Sequence, residues 1–287
     1  MKVRFTKMQA YGNCYIYIDA IHQELTDVNA LAKFVSDKHF GVGSDGMVLI
    51  CPSKECDFRM RIFNPDGSEA EMCGNALRST SKYVYDYHLT DKTDLTIETI
   101  GGIQHVHLFV EDGVAVNIRA DIGEPRFAKA AVPVVTDADE LYDKPVQVKD
   151  LQMKLSSLSW GNPHTVSFIE NVDDFDVEGY GRAIECNTEL FPQKTNVTFA
   201  QFVNKSYIKI REWERNCGET IGCGTGCCTA AVFAMRLGMC DRKVTVHQIG
   251  GDLEVEWNED TGHVLMTGPS HVIFDSEIDT EDMKYMV

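Results

Sequence analysis

Glu71-Met72-Cys73-Gly74-Asn75 and Ile221-Gly222-Cys223-Gly224-Thr225-Gly226 each set a cysteine at the mouth of an expected helix. The two cysteines lie 150 residues apart (223 − 73), and the spacing extends outward from them. Tyr11-Gly12-Asn13 and Trp160-Gly161-Asn162 match at an offset of 149 (162 − 13). Asn64 and Glu214 open polar loops nine residues before each cysteine, and Glu69 and Glu219 stand four before. Self-similarity at so long a period implies two related halves, since solenoid repeats are far shorter. Halves that face each other would bring the two thiols to one cleft, an arrangement for moving protons.

Composition narrows the function classes. A chain of 287 residues with 44% hydrophobic content can furnish two cores. A formal charge of −17 argues against a nucleic-acid partner, which needs a basic surface. It leaves room for a local cationic pocket that holds a small anionic substrate. No run approaches the roughly 18 apolar residues of a membrane span. The start, Met1-Lys2-Val3-Arg4-Phe5-Thr6-Lys7, lacks the apolar core of a signal peptide, so a cytoplasmic location is expected.

The ten cysteines do not form a disulfide framework or a metal motif in the sequence. No C-x-x-C occurs, and Cys51 and Cys56 have no second pair at ligand spacing, so no metal is expected. Cys14, Cys186 and Cys240 stand singly among apolar neighbours and read as small core residues. Cys227 and Cys228 fall one turn inside the helix after Cys223 and read as packing. Cys73 and Cys223 alone have a special setting.

Residue patterns predict a mixed α/β chain. Strands are expected at 2–9, 14–18, 47–51, 58–63, 95–99, 105–109, 114–119, 197–202, 207–212, 244–248, 253–257 and 264–267. Helices are expected at 29–40, 74–88 and 225–237. Domains are read as 1–120, joined by a returning C-terminal strand at about 270–287, and 121–269, with the boundary near 121–125. Gly41-Val42-Gly43-Ser44-Asp45-Gly46 matches G-x-G-x-x-G, but it follows a helix and precedes a strand, the reverse of a dinucleotide site. It reads as a tight turn. With no phosphate-binding loop and no local pyridoxal-phosphate pattern, no cofactor is expected.

The cysteine loops carry a chemistry of their own. A helix N-terminus lowers a thiol's pKa from about 8.5, and its open N–H groups favour an anion such as a carboxylate. Gly74, Asn75, Gly224 and Thr225 occupy those first-turn positions. Two such termini converging on one carboxylate would also stabilise the charge formed when its α-proton leaves. One thiolate takes that proton while the opposite thiol delivers one to the other face, so one must be ionised and the other protonated. His164 and Glu214 are candidates for setting those states.

With these residues in view, the chain resembles the diaminopimelate epimerases. The resemblance runs from Met8-Gln9-Ala10-Tyr11-Gly12-Asn13 to Met266-Thr267-Gly268-Pro269. It is strongest at Phe63-Asn64-Pro65-Asp66-Gly67-Ser68, Met72-Cys73-Gly74-Asn75, Gly161-Asn162-Pro163-His164, Glu214-Arg215, Gly218-Glu219-Thr220 and Cys223-Gly224-Thr225-Gly226. It implies two pseudo-symmetric α/β domains, each a strand-rich, barrel-like sheet around a central helix, with the active site in the cleft between them. It implies cofactor-independent conversion of LL-diaminopimelate to meso-diaminopimelate, with Cys73 and Cys223 as the base and acid pair. It further implies that Asn13, Asn64, Asn162, Asn196, Glu214 and Arg215 hold the substrate's amino and carboxylate groups, and that the protein is a homodimer.

The residues make chemical sense of that implication. Arg215 offers a planar fork for a distal carboxylate, and asparagines donate and accept at once. Three departures stand out. Cys14 follows Gly12-Asn13 where an acidic residue is usual, Asn216 follows Glu214-Arg215 where glycine is usual, and Gly46 falls where some members carry a substrate-contacting glutamine. Three other readings stay open: a racemase of another amino acid on the same scaffold, a thiol redox protein using Cys73 and Cys223, and a non-catalytic carboxylate-binding module.

Overall fold

The computed structural model describes residues 1–285; residues 286 and 287 of the expected returning segment lie outside them. The described residues divide into two compact units, residues 1–120 with 268–285, and residues 121–267.

The first unit runs β1 (Lys2–Ala10), β2 (Asn13–Asp19), α1 (Val28–Ser36), β3 (Met47–Cys51), β4 (Phe58–Phe63), β5 (Glu69–Ala70), α2 (Gly74–Asp86), β6 (Asp94–Thr99), β7 (Gly102–Glu111) and β8 (Val114–Gly123). The second runs β9 (Lys144–Val148), β10 (Leu151–Ser159), β11 (Pro163–Phe168), α3 (Val177–Glu185), β12 (Asn196–Asn204), β13 (Tyr207–Glu214), β14 (Gly218–Thr220), α4 (Gly224–Arg236), β15 (Lys243–Gln248), β16 (Gly251–Trp257) and β17 (Val264–Gly268). A last strand, β18 (His271–Asp279), belongs to the first unit and is followed by a short 3-10 turn.

Both units use one topology. In the first, β2 pairs parallel to β3 and β4 parallel to β6, while β1–β2, β3–β4, β4–β5, β6–β7 and β7–β8 are antiparallel. In the second, β11–β12 and β13–β15 are parallel, and β10–β11, β12–β13, β13–β14, β15–β16 and β16–β17 are antiparallel. β18 lies antiparallel on β1 as β9 lies on β10. The registers repeat as well. Val48 faces Ile62 and Ile62 faces Ala70, just as Thr198 faces Glu212 and Glu212 faces Thr220.

Each unit wraps its sheet about one central helix. Every residue from 76 to 84 of α2 and from 226 to 234 of α4 is buried, so neither helix has a solvent face. α2 packs on β1, β2, β3, β4 and β7, and α4 on β11, β12, β13, β15 and β16. Two polar groups on α2 find internal partners: Lys82 Nζ donates to the Ala115 carbonyl at 2.6 Å, and the Ser79 and Ser270 hydroxyls meet at 2.6 Å. Among the described residues, no helix is long and apolar enough to cross a membrane.

Some expectations need correction. The helix expected at 29–40 ends at Ser36. The Asp37 carboxylate accepts the N–H groups of His39 and Phe40 at 2.7 and 2.8 Å, a local turn that competes with continuing the helix. Cys186, expected in a core, is exposed at the C-terminal end of α3, while Cys14 and Cys240 are half-buried. The sequence pattern assigns no element at β5, β9, β10, β11, α3 or β14.

Candidate active site

In the first unit Cys73 is the N-cap of α2, in extended backbone conformation, and its side chain makes no capping hydrogen bond. The first intrahelical bond is Leu77 N to Cys73 O at 2.9 Å, so the N–H groups of residues 74–76 precede the helical ladder. The half-buried thiol instead meets Asn13 Oδ1 at 3.7 Å and the Tyr15 hydroxyl at 3.8 Å. Asn75 Nδ2 donates to the same Asn13 oxygen at 3.2 Å. Asp45 locks the arrangement by accepting from Asn13 Nδ2 at 2.9 Å and from Cys14 N at 2.7 Å. Burial, then the neighbouring Cys73, raises the Tyr15 phenol far above its ordinary range, so it remains a neutral group beside the sulfur.

In the second unit Cys223 is the N-cap of α4, again without a side-chain capping bond. Its own N–H donates to Gln248 Oε1 at 2.9 Å, an oxygen that Cys227 Sγ also reaches at 3.3 Å. Its sulfur lies 3.4 Å from Thr225 Oγ1. Burial, and then Glu212 and Glu214, push the Cys223 thiol well above its ordinary value, against smaller help to the thiolate from Thr225 and the Gly226 N–H. Glu214 accepts from Thr220 Oγ1 at 2.7 Å and is itself raised by burial. His164 is fully buried and pushed down to about 3, first by burial and then by Arg215. It is therefore a neutral imidazole at neutral pH.

The remaining expected residues fall into smaller groups. Asn196 Oδ1 accepts the Arg215 N–H at 3.0 Å, and its Nδ2 donates to the Pro163 carbonyl at 2.9 Å, so it ties the Glu214-Arg215 turn to β11. The Arg215 guanidinium donates to the Gln193 carbonyl at 3.1 Å. Asn64 Nδ2 donates to Ser68 Oγ at 2.9 Å within its own turn, and Asn162 closes the turn after β10 through its carbonyl, which accepts Trp160 N at 3.3 Å. Sequence reasoning missed Tyr15, Asp45, Glu212 and Gln248. Asp45 was legible as part of the glycine-rich turn, whose φ of 151° at Gly46 brings the chain against Tyr15 and the Phe63 carbonyl. Glu212 and Gln248 sit in strand patterns, where nothing local distinguishes them from surface residues.

Comparison with known proteins decides among the readings left open. The profile of the family described as diaminopimelate epimerase matches residues 5–128 and 156–273. This chain belongs to the diaminopimelate epimerase family. A diaminopimelate epimerase of Methanococcus maripaludis strain S2 is 48% identical over 277 residues, 96% of this chain and 100% of its own length. One from Acetivibrio thermocellus is 44% identical over 281 residues, 98% of this chain and 100% of its own. Among solved structures, a phenazine biosynthesis protein of the PhzF family from Bacillus anthracis superposes with a TM-score of 0.72 at 18% identity, covering 97% of this chain and 99% of its own. A probable proline racemase from Agrobacterium radiobacter K84 gives 0.70 at 13% identity, covering 97% and 93%. At such identities these two speak for the fold alone.

Within the diaminopimelate epimerase family, the departure at Asn216 has a local explanation. Its φ is 62°, in the left-handed region that glycine adopts freely and asparagine tolerates better than most residues. Its backbone N–H is held by Glu185 Oε1 at 2.9 Å and its side-chain oxygen by Lys194 Nζ at 2.6 Å. Two contacts thus offset the strain that glycine would avoid. Gly46 admits no side chain, because a Cβ there would lie 2.3 Å from the Phe63 carbonyl oxygen.

Proposed function

We propose that this protein epimerises LL-diaminopimelate to meso-diaminopimelate without a cofactor, by proton transfer between Cys73, Cys223 and one α-carbon. One observation carries the reading: a free thiol caps the N-terminus of the central helix in each of two topologically equivalent units. In the reading, the open N–H groups of Gly74, Asn75, Gly224 and Thr225 receive the carboxylate at the reacting centre. As the α-proton leaves, those N–H groups stabilise the added negative charge. Cys223, held up by burial and by two carboxyls, rests as the thiol and delivers a proton, while Cys73 takes one from the opposite face. The reverse reaction exchanges the roles.

Asn13, Asn64, Asn162, Asn196, Glu214 and Arg215 are assigned to the substrate's amino and carboxylate groups, with His164 and Glu214 tuning the thiols. Asn196 presents the Glu214-Arg215 turn, which supports a role for that turn in holding the distal amino-acid end. The protein is further read as a cytoplasmic homodimer. Incubation with LL-diaminopimelate in deuterium oxide, followed by proton NMR, tests the reaction. The α-proton signal should vanish as the meso isomer appears, after dialysis against chelator and with no added cofactor. Dependence on pyridoxal phosphate, or faster exchange into a single-centre amino acid such as histidine, refutes it.

A further inference from the structure

The two units share registers but not residues at one pair of facing positions. Val48 and Ile62 face each other across β3 and β4 in the first, both buried and apolar. Thr198 and Glu212 occupy the equivalent places on β12 and β13. Glu212 is 2% exposed. Thr198 Oγ1 donates to its Oε2 at 2.6 Å, and among the described residues its Oε1 has no hydrogen-bonding partner. His164 Nδ1 stands 3.8 Å from Oε1, beyond hydrogen-bonding range. The carboxyl lies against the first turn of α4, where a Cβ on Gly226 would come within 2.4 Å of Oε2. Cys223 caps that same turn, three residues before Gly226, so thiol and carboxyl share the N-terminal end of α4, and each responds to the other's ionisation.

A buried carboxyl where the sister unit carries isoleucine costs desolvation that an apolar pair avoids. The groups that act on it are Thr198 from β12, Glu214 from β13 and Cys223 from α4, with neutral His164 from β11 alongside. None is a cation at neutral pH, so a buried carboxylate there would have hydrogen bonding from Thr198 but no counter-charge. The neutral acid, by contrast, has a proton to donate and an oxygen without a partner.

We propose that Glu212 is a positioning residue for Cys223: as the neutral carboxylic acid, it donates a hydrogen bond to the Cys223 sulfur whenever that sulfur carries negative charge. When Cys223 gives its proton to the substrate carbon, the S–H bond breaks, the C–H bond forms and the electron pair stays on sulfur. Glu212 keeps its proton throughout and directs it toward the thiolate. When Cys223 takes a proton back, the hydrogen bond weakens and the pair returns to thiol and acid. Burial alone would make that thiolate hard to reach; a preorganised donor lowers the barrier at the step where the charge develops. The inference rests on Cys223 acting as a proton carrier in the proposed epimerisation.

Two substitutions of Glu212 separate a neutral donor from an ionised carboxylate. Glu212→Gln keeps the shape and a neutral donor, and should retain kcat within roughly tenfold. Glu212→Ile, which copies the sister position Ile62, should lower kcat by about 10²-fold with KM nearly unchanged, as loss of a preorganised donor does. It should also move the pH midpoint of iodoacetamide alkylation at Cys223 upward while leaving that of Cys73 in place, read by peptide mapping. Glu212→Met fills similar volume without a donor and takes the same test should the isoleucine variant fail to fold. Wild-type kcat and an unmoved Cys223 midpoint in the donorless variant overturn the proposal. So does a glutamine variant as impaired as the isoleucine one, since an ionised carboxylate would then be the working form. If the wild-type protein does not epimerise diaminopimelate, the functional reading fails, and the Cys223 alkylation profile still judges the role of Glu212.

Discussion

Replacing Gly226 by alanine sets two effects against each other, and their magnitudes decide the sign. Gly226 lies in the first turn of α4 without positive φ, so alanine should gain about 1 kcal/mol of helix propensity over glycine. The new Cβ, however, would stand 2.4 Å from Glu212 Oε2, 2.6 Å from its Cδ and 2.8 Å from Oε1. The clash is with the end of a side chain, so the backbone can stay where it is and the carboxyl must swing away. That movement breaks the 2.6 Å bond from Thr198, whose loss costs about 1 kcal/mol, and strands a buried polar group for roughly 1–3 kcal/mol more. The expected net effect is destabilisation by about 1–3 kcal/mol. Urea unfolding followed by circular dichroism should show a lowered midpoint at unchanged slope. A melting temperature equal to or above that of the wild type would refute the reasoning, because propensity would then have won and Glu212 would be free to move.

Further outcomes follow from the same geometry. Cys73→Ala and Cys223→Ala should each lower epimerisation by several orders of magnitude, whereas Cys227→Ala should stay within roughly tenfold of wild type in a coupled assay; equal loss in all three would mean the thiols are misassigned. Arg215→Met should depress kcat/KM for diaminopimelate by roughly 10² or more while Cys73 and Cys223 still react with iodoacetamide, and an unchanged kcat/KM removes Arg215 from the distal pocket. Burial raises the carboxyls of Glu212 and Glu214, so the stability they contribute is full below their ordinary value of 4.5 and is lost as pH rises through their folded values. His164, pushed down to about 3, acts in the opposite sense: its contribution is present above 6.5 and is lost as pH falls from 6.5 toward 3. As pH rises above 4.5, urea unfolding should therefore show a smaller loss of stability in Glu214→Gln than in wild type; a slope identical to wild type counts against its burial.

The parts of the fold that sequence made legible are those with an apolar period or a turn signal. The central helices were visible because Cys73-Gly74 and Cys223-Gly224 mark their starts and a long apolar run follows Thr225. Strand β10 was not, because Ser156, Ser157 and Ser159 are buried and break the alternation that marks a strand. Ser157 and Thr165 hydroxyls meet at 2.8 Å and Thr165 reaches Thr195 at 3.0 Å, so this interior is satisfied by side-chain hydrogen bonds that leave no apolar trace. Glu212 was hidden for a related reason. In Arg211-Glu212-Trp213-Glu214-Arg215 it reads as one charge among several on a solvated strand end. Only the fold turns Arg211 and Glu214 to their own partners and leaves Glu212 inside.

Duplication supplies one backbone twice, but a two-base reaction needs unequal partners. The inequality here lies in side chains at equivalent positions. Tyr15 and His164 follow Asn13 and Asn162 at the same spacing, and they stand beside a half-buried thiol in one unit and a buried carboxyl in the other. Val48 and Ile62 form an apolar pair in the first unit, while Thr198 and Glu212 at the equivalent places supply a proton donor for Cys223 in the second. Cys73 is half-buried, whereas Cys223 is buried. Cys223 lies where burial opposes ionisation, and a neutral donor is the smallest change that makes its thiolate reachable without a permanent charge in the core. Exchanging both members at once, Thr198→Val with Glu212→Ile, should therefore give a stably folded protein with a more symmetric interior. Its melting temperature should equal or exceed that of wild type, because an apolar pair avoids the desolvation cost. Turnover should still fall about 10²-fold. A double variant that loses stability along with activity would mean the polar pair serves the fold and the asymmetry has no part in the chemistry.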